Sequence, residues 1–246
     1  MTPGGWFVVW PVILHFAQDD KSRTLILSAA RTNMYSHFKR ACDGLAACIL
    51  LVVLSPVLLA IGIGVRLTSR GPAIFRQERA GKDGKPFTFY KFRTMRLDAD
   101  PFGPSPKSGE DPRLTRFGKF LREYSLDELP QLANIARGDM SLVGPRPLYV
   151  SQIAEWDERQ RKRLLVKPGL TGLSQVSGRG ELTREEKLEL DVKYVEQAGL
   201  WPDARILLAT LRGVFARKGI YEKRYSQAEH TRGQALVDKE GSRGAP

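Results

Sequence analysis

Two adjacent carboxylates, Asp127 and Glu128, are the strongest candidates for chemistry in this chain, within the segment YSLDELPQLANIARGDMSLVGPRP. The pattern predicts that Asp127 falls in the first turn of a helix. There the positive end of the helix dipole lowers the pKa of a carboxylate and attracts phosphate. An ionised aspartate in that position can act as a nucleophile. Because neighbouring residues on a helix point roughly 100° apart, we expect the two carboxylates to have different roles.

A purely structural interpretation of Glu128 is equally open from these residues. Ser125 and Glu128 fit the capping-box pattern, with Ser125 as the N-cap and Glu128 at the third helical position. Pro130 lies late for the first turn of a helix, so the helix could instead begin nearer Leu129.

Arginines near the pair have the chemistry that a phosphate substrate requires. A carboxylate that attacks a phosphodiester meets like charge, so cations must neutralise the phosphoryl oxygens. The candidates are Arg93 in YKFRTM, Arg122 in FLREY and Arg146 in GPRP. Arg146 is the most specific, because prolines on both sides stiffen its turn and Gly144 permits close approach of the backbone to a ligand.

A divalent cation would assist this chemistry, although no cluster of ligands has diagnostic spacing. Asp127 can contribute one or two oxygens as a metal ligand. Such sparse coordination suits Mg²⁺ shared with substrate phosphates.

Composition points to an anionic partner. The 246 residues include 39 Lys and Arg against 27 Asp and Glu, a formal net charge of +12. This charge fits nucleic acid, an anionic lipid surface or a phosphorylated small molecule. Cys42 and Cys48 are the only cysteines and both lie in an apolar stretch, which argues against a disulfide framework and favours a cytoplasm-facing protein.

The long apolar run GLAACILLVVLSPVLLAIGIGV predicts a membrane anchor. It carries no charge and matches the roughly 20 residues that a spanning helix requires. Basic residues flank both ends, so the positive-inside rule gives no orientation. Ser55 and Pro56 lie at its centre, where proline removes a backbone donor and a serine hydroxyl can satisfy a freed carbonyl. A kinked helix that enters and leaves one leaflet and an ordinary bitopic span are both compatible with this run.

The remaining patterns predict an α+β, mostly helical chain. The runs AIFRQERA and FTFYKFRTM around GKDGKP predict a β-hairpin, and amphipathic helices are predicted over residues 113–123, 149–165, 184–197 and 202–218. We divide the chain into an N-terminal extension (1–33), a membrane helix (34–70), a cytosolic catalytic domain (71–221) and a polar tail (222–246). The extension carries a short apolar segment that lacks the features of a signal peptide.

Five ordered motifs resemble those of the monotopic phosphoglycosyl transferases, which start bacterial glycoconjugate assembly on polyprenol phosphate. They are KRACDGLAACILLVVLSPVLLA, IFRQERAGKDGKPFTFYKFRTM, LTRFGKFLREYSLDELPQLANIARGDMSLVGPRP, VKPGLTGLSQVSGRGELTREEKLELDVKYV and the closing helix from Leu200. Together they cover most of the chain from Phe38 to about Gly219. The compact length resembles the small form of the family.

The resemblance implies transfer of a sugar-1-phosphate from a UDP-sugar to undecaprenyl phosphate, with release of UMP. Asp127 would form a covalent phosphosugar intermediate with the help of Mg²⁺, and Glu128 would orient or tune it. Ser55 and Pro56 would break a re-entrant helix at the cytoplasmic face of the bacterial inner membrane. The implied partners are a UDP-sugar, undecaprenyl phosphate and membrane lipid. The sequence leaves the oligomeric state, monomer or homodimer, open. We expect no nucleic acid partner, because the basic residues are scattered through amphipathic segments.

The resemblance also implies further phosphate or nucleotide contacts beside the site. In VKPGLTGLSQVSGRG these are Lys167, Gln175 and Arg179, and in YKFRTM Lys91 joins them. Leu173 departs from the family pattern, since many relatives carry a tryptophan there.

Three other hypotheses remain open from the sequence. Polyprenol phosphate could attack the UDP-sugar directly, with the carboxylates only positioning metal. The chain could instead be a membrane-tethered nucleic-acid-binding module, although no reader motif is recognisable. A basic lipid-binding scaffold without chemistry is the third, and it predicts that Asp127→Asn is silent.

Overall fold

A computed structural model describes residues 35–100, 103, 105–216 and 221. Contacts divide the chain into two units, Met1–Cys42 and Asp43–Pro246. In the first unit the described residues are 35–42, which begin a helix. The predicted extension over residues 1–33 and the tail over 222–246 lie outside the described residues.

Two helices, α1 (Tyr35–Val53) and α2 (Ser55–Thr68), contain the long apolar run and are bent by 64° at the break between them. The Ser55 hydroxyl donates to the Val52 carbonyl at 2.8 Å. Pro56 lies in the first turn of α2, where a backbone N–H would have no acceptor within the helix, so proline is tolerated there. The predicted break at Ser55 and Pro56 is therefore confirmed. Within the described part of the chain no single helix is long and apolar enough to cross a membrane, but the bent pair passes that test of length and composition when taken together.

In the described residues, four strands and six further α-helices follow the bent pair. In chain order they are β1 (Ile74–Ala80), β2 (Pro86–Phe92), α3 (Arg116–Glu123), α4 (Gln131–Arg137), β3 (Ser141–Val143), α5 (Glu158–Arg161), β4 (Gly169–Thr171), α6 (Leu173–Ser177), α7 (Arg184–Gln197) and α8 (Leu200–Ala216). The mostly helical α+β class is confirmed. The strands form two small sheets, the antiparallel pair β1–β2 and the parallel pair β3–β4.

The hairpin β1–β2 is the centre of the packing. Its register pairs Ile74 with Phe92 and Ala80 with Pro86. Because side chains alternate along a strand, Phe89 and Phe92 point to opposite faces, and each face has its own apolar core. One core joins Phe89 to Ala47, Leu132, Ile135 and Met140, and the other joins Phe92 to Ile61, Val65 and Leu121. The hairpin is thus fixed between α1 and α4 on one side and α2 and α3 on the other.

The predicted helices are confirmed to different extents. The helix α7 has the predicted bounds, whereas α3 begins three residues late because Thr115 caps it, its hydroxyl accepting from the Gly118 amide at 2.8 Å. The single helix predicted over 149–165 is wrong. Three short helical pieces replace it, because Trp156 is extended and Asp157 caps a new turn.

Candidate active site

The two carboxylates lie on a single 3₁₀ turn, Leu126–Glu128, between α3 and α4. Ser125 has a left-handed backbone (φ 56°, ψ 21°) and its side chain makes no capping hydrogen bond. The capping-box prediction is therefore wrong, since an N-cap residue needs an extended backbone to direct its hydroxyl to the third amide. The α-helix begins only at Gln131, after Pro130, so Asp127 does not lie in the first turn of an α-helix. The alternative start near Leu129 is closer to the structure.

Asp127 faces Lys91 of β2. Asp127 is only 4% exposed, and its Oδ2 lies 3.4 Å from the Lys91 Nζ. Burial raises the pKa of Asp127 above its usual value and repulsion by Glu128 adds to this, while Lys91 and Arg122 oppose the shift. This direction is opposite to the one expected from a helix dipole. A cation that approaches Asp127 would therefore favour its ionised form.

Glu128 faces Arg146 of the GPRP turn. The Arg146 Nη2 donates to the Glu128 Oε1 at 3.0 Å, and the Glu128 side chain is 14% exposed. Burial alone would raise the pKa of Glu128, but Arg146, Lys91 and Arg179 together lower it to about 2. Glu128 is therefore ionised at neutral pH. The two carboxylates thus differ in partner and in pKa direction, an arrangement that separates the roles of paired carboxylates.

Four of the predicted cations lie close enough to act on this pair. They are Lys91, Arg122, Arg146 and Arg179. The Arg122 Nε donates to Thr94 at 3.0 Å, and the Arg179 Nη2 donates to the Ser125 hydroxyl at 3.3 Å. Both guanidinium groups are partly removed from water, and this burial lowers the pKa of Arg122 and of Arg179. Four cations against two carboxylates leave a surplus of two positive charges, which favours binding of an anion.

The parallel pair β3–β4 fixes the backbone of the turn that carries Arg146. The Gly144 amide donates to the Thr171 carbonyl at 2.8 Å, and the Gly169 amide donates to the Pro145 carbonyl at 2.9 Å. A Cβ atom at Gly144 would overlap the backbone carbonyl of Lys167. Gly144 is therefore required by the approach of two backbones to each other, and close approach of a ligand to this turn stays a prediction.

A buried ion pair behind the site was missed by sequence reasoning. The Arg163 Nη2 donates to the Asp191 carboxylate at 2.7 Å and to the Arg146 carbonyl at 2.6 Å. Ser174 of α6 donates to the other oxygen of Asp191 at 2.9 Å. Asp191 is therefore linked through Arg163 to the turn of Arg146, and through Ser174 to α6, the helix that precedes Arg179. The available signal was its place on the buried stripe of α7 between Leu188 and Val192, where a carboxylate needs a partner.

Two further predicted residues have side-chain partners away from the two carboxylates, and a third is described only through its backbone. The Arg93 guanidinium donates to the backbone carbonyls of Ser69 and Arg70 and closes the end of α2, and a contact of Arg93 with phosphate stays a prediction. The Gln175 Nε2 donates to the Leu170 carbonyl at 3.2 Å and ties its own loop together. Lys167 contributes its carbonyl to the packing behind Gly144, and a contact of its side chain with phosphate stays a prediction.

The comparisons with known proteins agree with this geometry. Residues 34–217 match the model of the family described as bacterial sugar transferase. This chain belongs to the bacterial sugar transferase family. The motif resemblance found in the sequence is thus confirmed, and with it the expectation that the chain is an enzyme of the transferase class.

The relatives in this family are named as sugar transferases or sugar-phosphate transferases. The chain is 43% identical over 199 residues to EpsL of Bacillus subtilis, an uncharacterized sugar transferase, which covers 81% of this chain and 98% of EpsL. It is 42% identical over 191 residues to the UDP-glucose:undecaprenyl-phosphate glucose-1-phosphate transferase of Escherichia coli, covering 74% of this chain and 41% of that protein. It is 38% identical over 198 residues to the undecaprenyl-phosphate galactose phosphotransferase of Salmonella typhimurium, again covering 74% and 41%. The chain therefore spans about two fifths of the length of the last two relatives.

Proposed function

We propose that this sugar transferase moves a sugar-1-phosphate from a UDP-sugar to undecaprenyl phosphate and releases UMP. The observation that carries the proposal is the buried pair Asp127 and Glu128 inside a cluster of four cations. A sugar nucleotide presents a pyrophosphate with two negative charges, which matches the surplus of two positive charges in the cluster. The name of the Escherichia coli relative supports the same donor and acceptor classes, and that of the Salmonella typhimurium relative supports the same acceptor.

In the proposed mechanism Asp127 is the nucleophile. Its carboxylate oxygen forms a bond to the sugar-bearing phosphorus, and the bond from that phosphorus to the bridging oxygen breaks, so UMP leaves with the electron pair. A phosphate oxygen of undecaprenyl phosphate then attacks the same phosphorus, and the bond to Asp127 breaks to restore the carboxylate. Two easier displacements thus replace one difficult displacement.

The surrounding cations make the attack on an anion feasible. Lys91 lies against Asp127, where it opposes protonation of the nucleophile, and Arg122 acts in the same direction. Glu128 stays ionised and holds the guanidinium of Arg146 through their 3.0 Å contact. Preorganised donors of this kind stabilise the negative charge on phosphoryl oxygens in the transition state.

The site also fits Mg²⁺ as a cofactor shared with substrate. Among the described residues no group of three or more His, Cys, Asp or Glu side chains could hold a metal ion by itself. In the described hydrogen bonds Asp127 uses only its Oδ2, toward Lys91, so its Oδ1 is available as a ligand. Mg²⁺ commonly takes one or two carboxylates and completes its shell with water and phosphate, and it would neutralise charge on the pyrophosphate.

We further propose that the bent pair α1–α2 is a re-entrant anchor in the bacterial inner membrane, with the site at its cytoplasmic face. Several of its apolar side chains are exposed, among them Val52 at 74% and Leu59 at 67%. The helix α8 adds a second apolar surface that includes the exposed Trp201 and Leu211. Arg205 beside Trp201 makes α8 typical of a helix that lies in the membrane interface.

The transfer itself is tested in nanodiscs that contain undecaprenyl phosphate. We would supply Mg²⁺ and a panel of UDP-sugars, and measure UMP together with the lipid-linked sugar. The proposal expects UMP with at least one donor, dependent on acceptor, and none from Asp127→Asn. No UMP from any donor, under conditions in which the Escherichia coli relative is active, would contradict it.

A further inference from the structure

Arg79 is a cation beside the site that the mechanism above does not use. It lies on β1, and the hairpin register pairs Phe75 with Lys91 and Arg79 with Phe87. Because paired residues share a face and faces alternate, Arg79 projects from the same face as Lys91. The Ala80 amide also donates to the Leu148 carbonyl at 2.9 Å, so this end of β1 is tied to the chain directly after the GPRP turn.

Two aromatic rings hold the guanidinium of Arg79. Its central carbon lies 3.8 Å from the centroid of the Tyr149 ring and 5.7 Å from that of Phe89. Stacking of this kind covers the faces of a guanidinium and leaves its edges, which carry the N–H donors. The side chain is thus held in a fixed orientation with its donors available.

The acceptors described for these donors are the side chains of Gln77 and Tyr149, and both are uncharged in their ordinary forms. The Arg79 Nη2 donates to the Gln77 side chain at 2.6 Å, whereas the Nε is buried without a hydrogen-bond partner. No carboxylate among the described residues forms an ion pair with Arg79. A guanidinium has five N–H donors, and a buried donor without an acceptor costs free energy. An anionic ligand would satisfy both the charge and the unused donors.

Arg146 is the link between Arg79 and the carboxylates. Burial lowers the pKa of Arg79 to about 10, so the group is charged at neutral pH, and Arg146 contributes to the lowering. Neither Asp127 nor Glu128 shifts the pKa of Arg79. The strand face and the backbone hydrogen bond from Ala80 to Leu148 place Arg79 next to the turn of Arg146, at one edge of the cation cluster.

We propose that Arg79, held by Tyr149 and Phe89, is a binding position for a phosphate monoester next to Arg146. The proposal rests on the proposed function, in which two ligands are phosphate monoesters: the product UMP and the acceptor undecaprenyl phosphate. In two in-line displacements at one phosphorus, the leaving UMP and the entering acceptor both lie opposite Asp127. One cation at the edge of the cluster can therefore serve both ligands in turn.

The test compares Arg79→Gln with a matched control, Arg76→Gln. Arg76 is exposed on the opposite face of the same strand, beside Tyr90, so the control removes the same charge away from the site. We would titrate each protein with UMP by calorimetry and measure the KM for undecaprenyl phosphate in nanodiscs. Loss of one charge-assisted contact is expected to raise the UMP Kd and the acceptor KM about tenfold in Arg79→Gln only.

The UMP titration and the acceptor KM together show which ligand supplies the phosphate. A change in the acceptor KM alone assigns the position to the lipid phosphate, and a change in the UMP Kd alone assigns it to the product. If both values for Arg79→Gln equal those of Arg76→Gln, the proposal is wrong. We would also measure the KM for the UDP-sugar. If that KM rises while the UMP Kd and the acceptor KM stay unchanged, Arg79 contacts another part of the donor and the proposal is equally overturned.

A second variant guards against misfolding, and UMP binding by the wild-type chain separates failure of this proposal from failure of the proposed function. If Arg79→Gln shows no cooperative unfolding transition, Arg79→Met replaces it, because methionine keeps an apolar stem between the two rings. A wild-type chain that binds UMP but transfers no sugar would contradict the proposed function and still permit the UMP comparison. A wild-type chain that binds neither UMP nor undecaprenyl phosphate would contradict the phosphate position itself.

Discussion

The Arg146 Nη2 lies 3.0 Å from the Glu128 Oε1, whereas the neighbouring carboxylate, Asp127, has Lys91 as its partner at 3.4 Å. Two adjacent residues are therefore paired with cations from opposite parts of the fold, a rigid turn and a hairpin strand. The pKa of Glu128 is held at about 2, while burial raises the pKa of Asp127. Glu128 is therefore charged at neutral pH, whereas the protonation of Asp127 depends on the charges around it.

The first prediction concerns pH. Asp127 must be ionised to attack, and burial together with Glu128 raises its pKa above the ordinary value of 3.8. Activity should therefore rise as pH increases through a value above 3.8. Glu128→Gln removes the repelling charge and should move this acidic limb to lower pH. The measurement is the pH profile of the single-turnover rate for both proteins, and a limb that moves to higher pH in Glu128→Gln would contradict the pairing described here.

The second prediction concerns Arg146. Arg146→Ala leaves Glu128 without its hydrogen-bonded cation and removes one donor to phosphoryl oxygens. We expect kcat/KM for the UDP-sugar to fall on the order of 100-fold, as for loss of one preorganised donor. Arg137→Ala is the matched control, since Arg137 ends α4 and donates to the Tyr90 hydroxyl at 2.7 Å. Equal kinetics for the two variants would show that Arg146 does not act on the substrate.

The third prediction concerns the ion pair behind the site. Asp191→Ala leaves the buried guanidinium of Arg163 without its carboxylate, and loss of one partner of a buried pair costs about 3–5 kcal/mol. The free energy of unfolding should fall by that amount in denaturant titrations. Arg163→Met combined with Asp191→Leu should cost less than the two single changes added together, because no charge is then left unpaired. Additive costs would contradict the pairing.

The fourth prediction concerns the anchor. In a Cys42→Ser, Cys48→Ser background, single cysteines at Arg40 and Arg70 would each be treated with a membrane-impermeant thiol reagent. A re-entrant pair places both positions on the cytoplasmic side, so neither should react in intact cells and both should react in inverted vesicles. Reaction of one position from outside intact cells would indicate a bitopic span instead.

Periodicity and turn chemistry were sufficient to predict some of the regular elements of this fold. The hairpin and the bounds of α7 follow from local patterns, and the break at Ser55 and Pro56 follows from the missing proline N–H. The parallel pair β3–β4 did not follow, because strands of three residues carry no usable alternation. It is this pair that fixes the turn of Arg146.

Local reasoning also identified most of the site and failed where long-range partners decide. The two carboxylates and four of their cations were predicted from residue type and resemblance. Ser125 fits a capping pattern, yet its backbone is left-handed and its hydroxyl accepts from Arg179, 54 residues away. Arg93 has the residue type of a phosphate ligand, but its guanidinium donates to the Ser69 carbonyl at the end of α2. Such competition between partners depends on the tertiary fold.

The central claim, that Asp127 is a covalent nucleophile, is tested most directly by intact-mass measurement. Protein purified in nanodiscs would be incubated with Mg²⁺ and a panel of UDP-sugars without undecaprenyl phosphate, beside Asp127→Asn as the control of matched shape. The account predicts a mass increase equal to one phosphosugar, absent from Asp127→Asn and lost when acceptor is added. UMP that forms only with acceptor present, without any adduct in its absence, would contradict the covalent mechanism and favour direct attack by the acceptor.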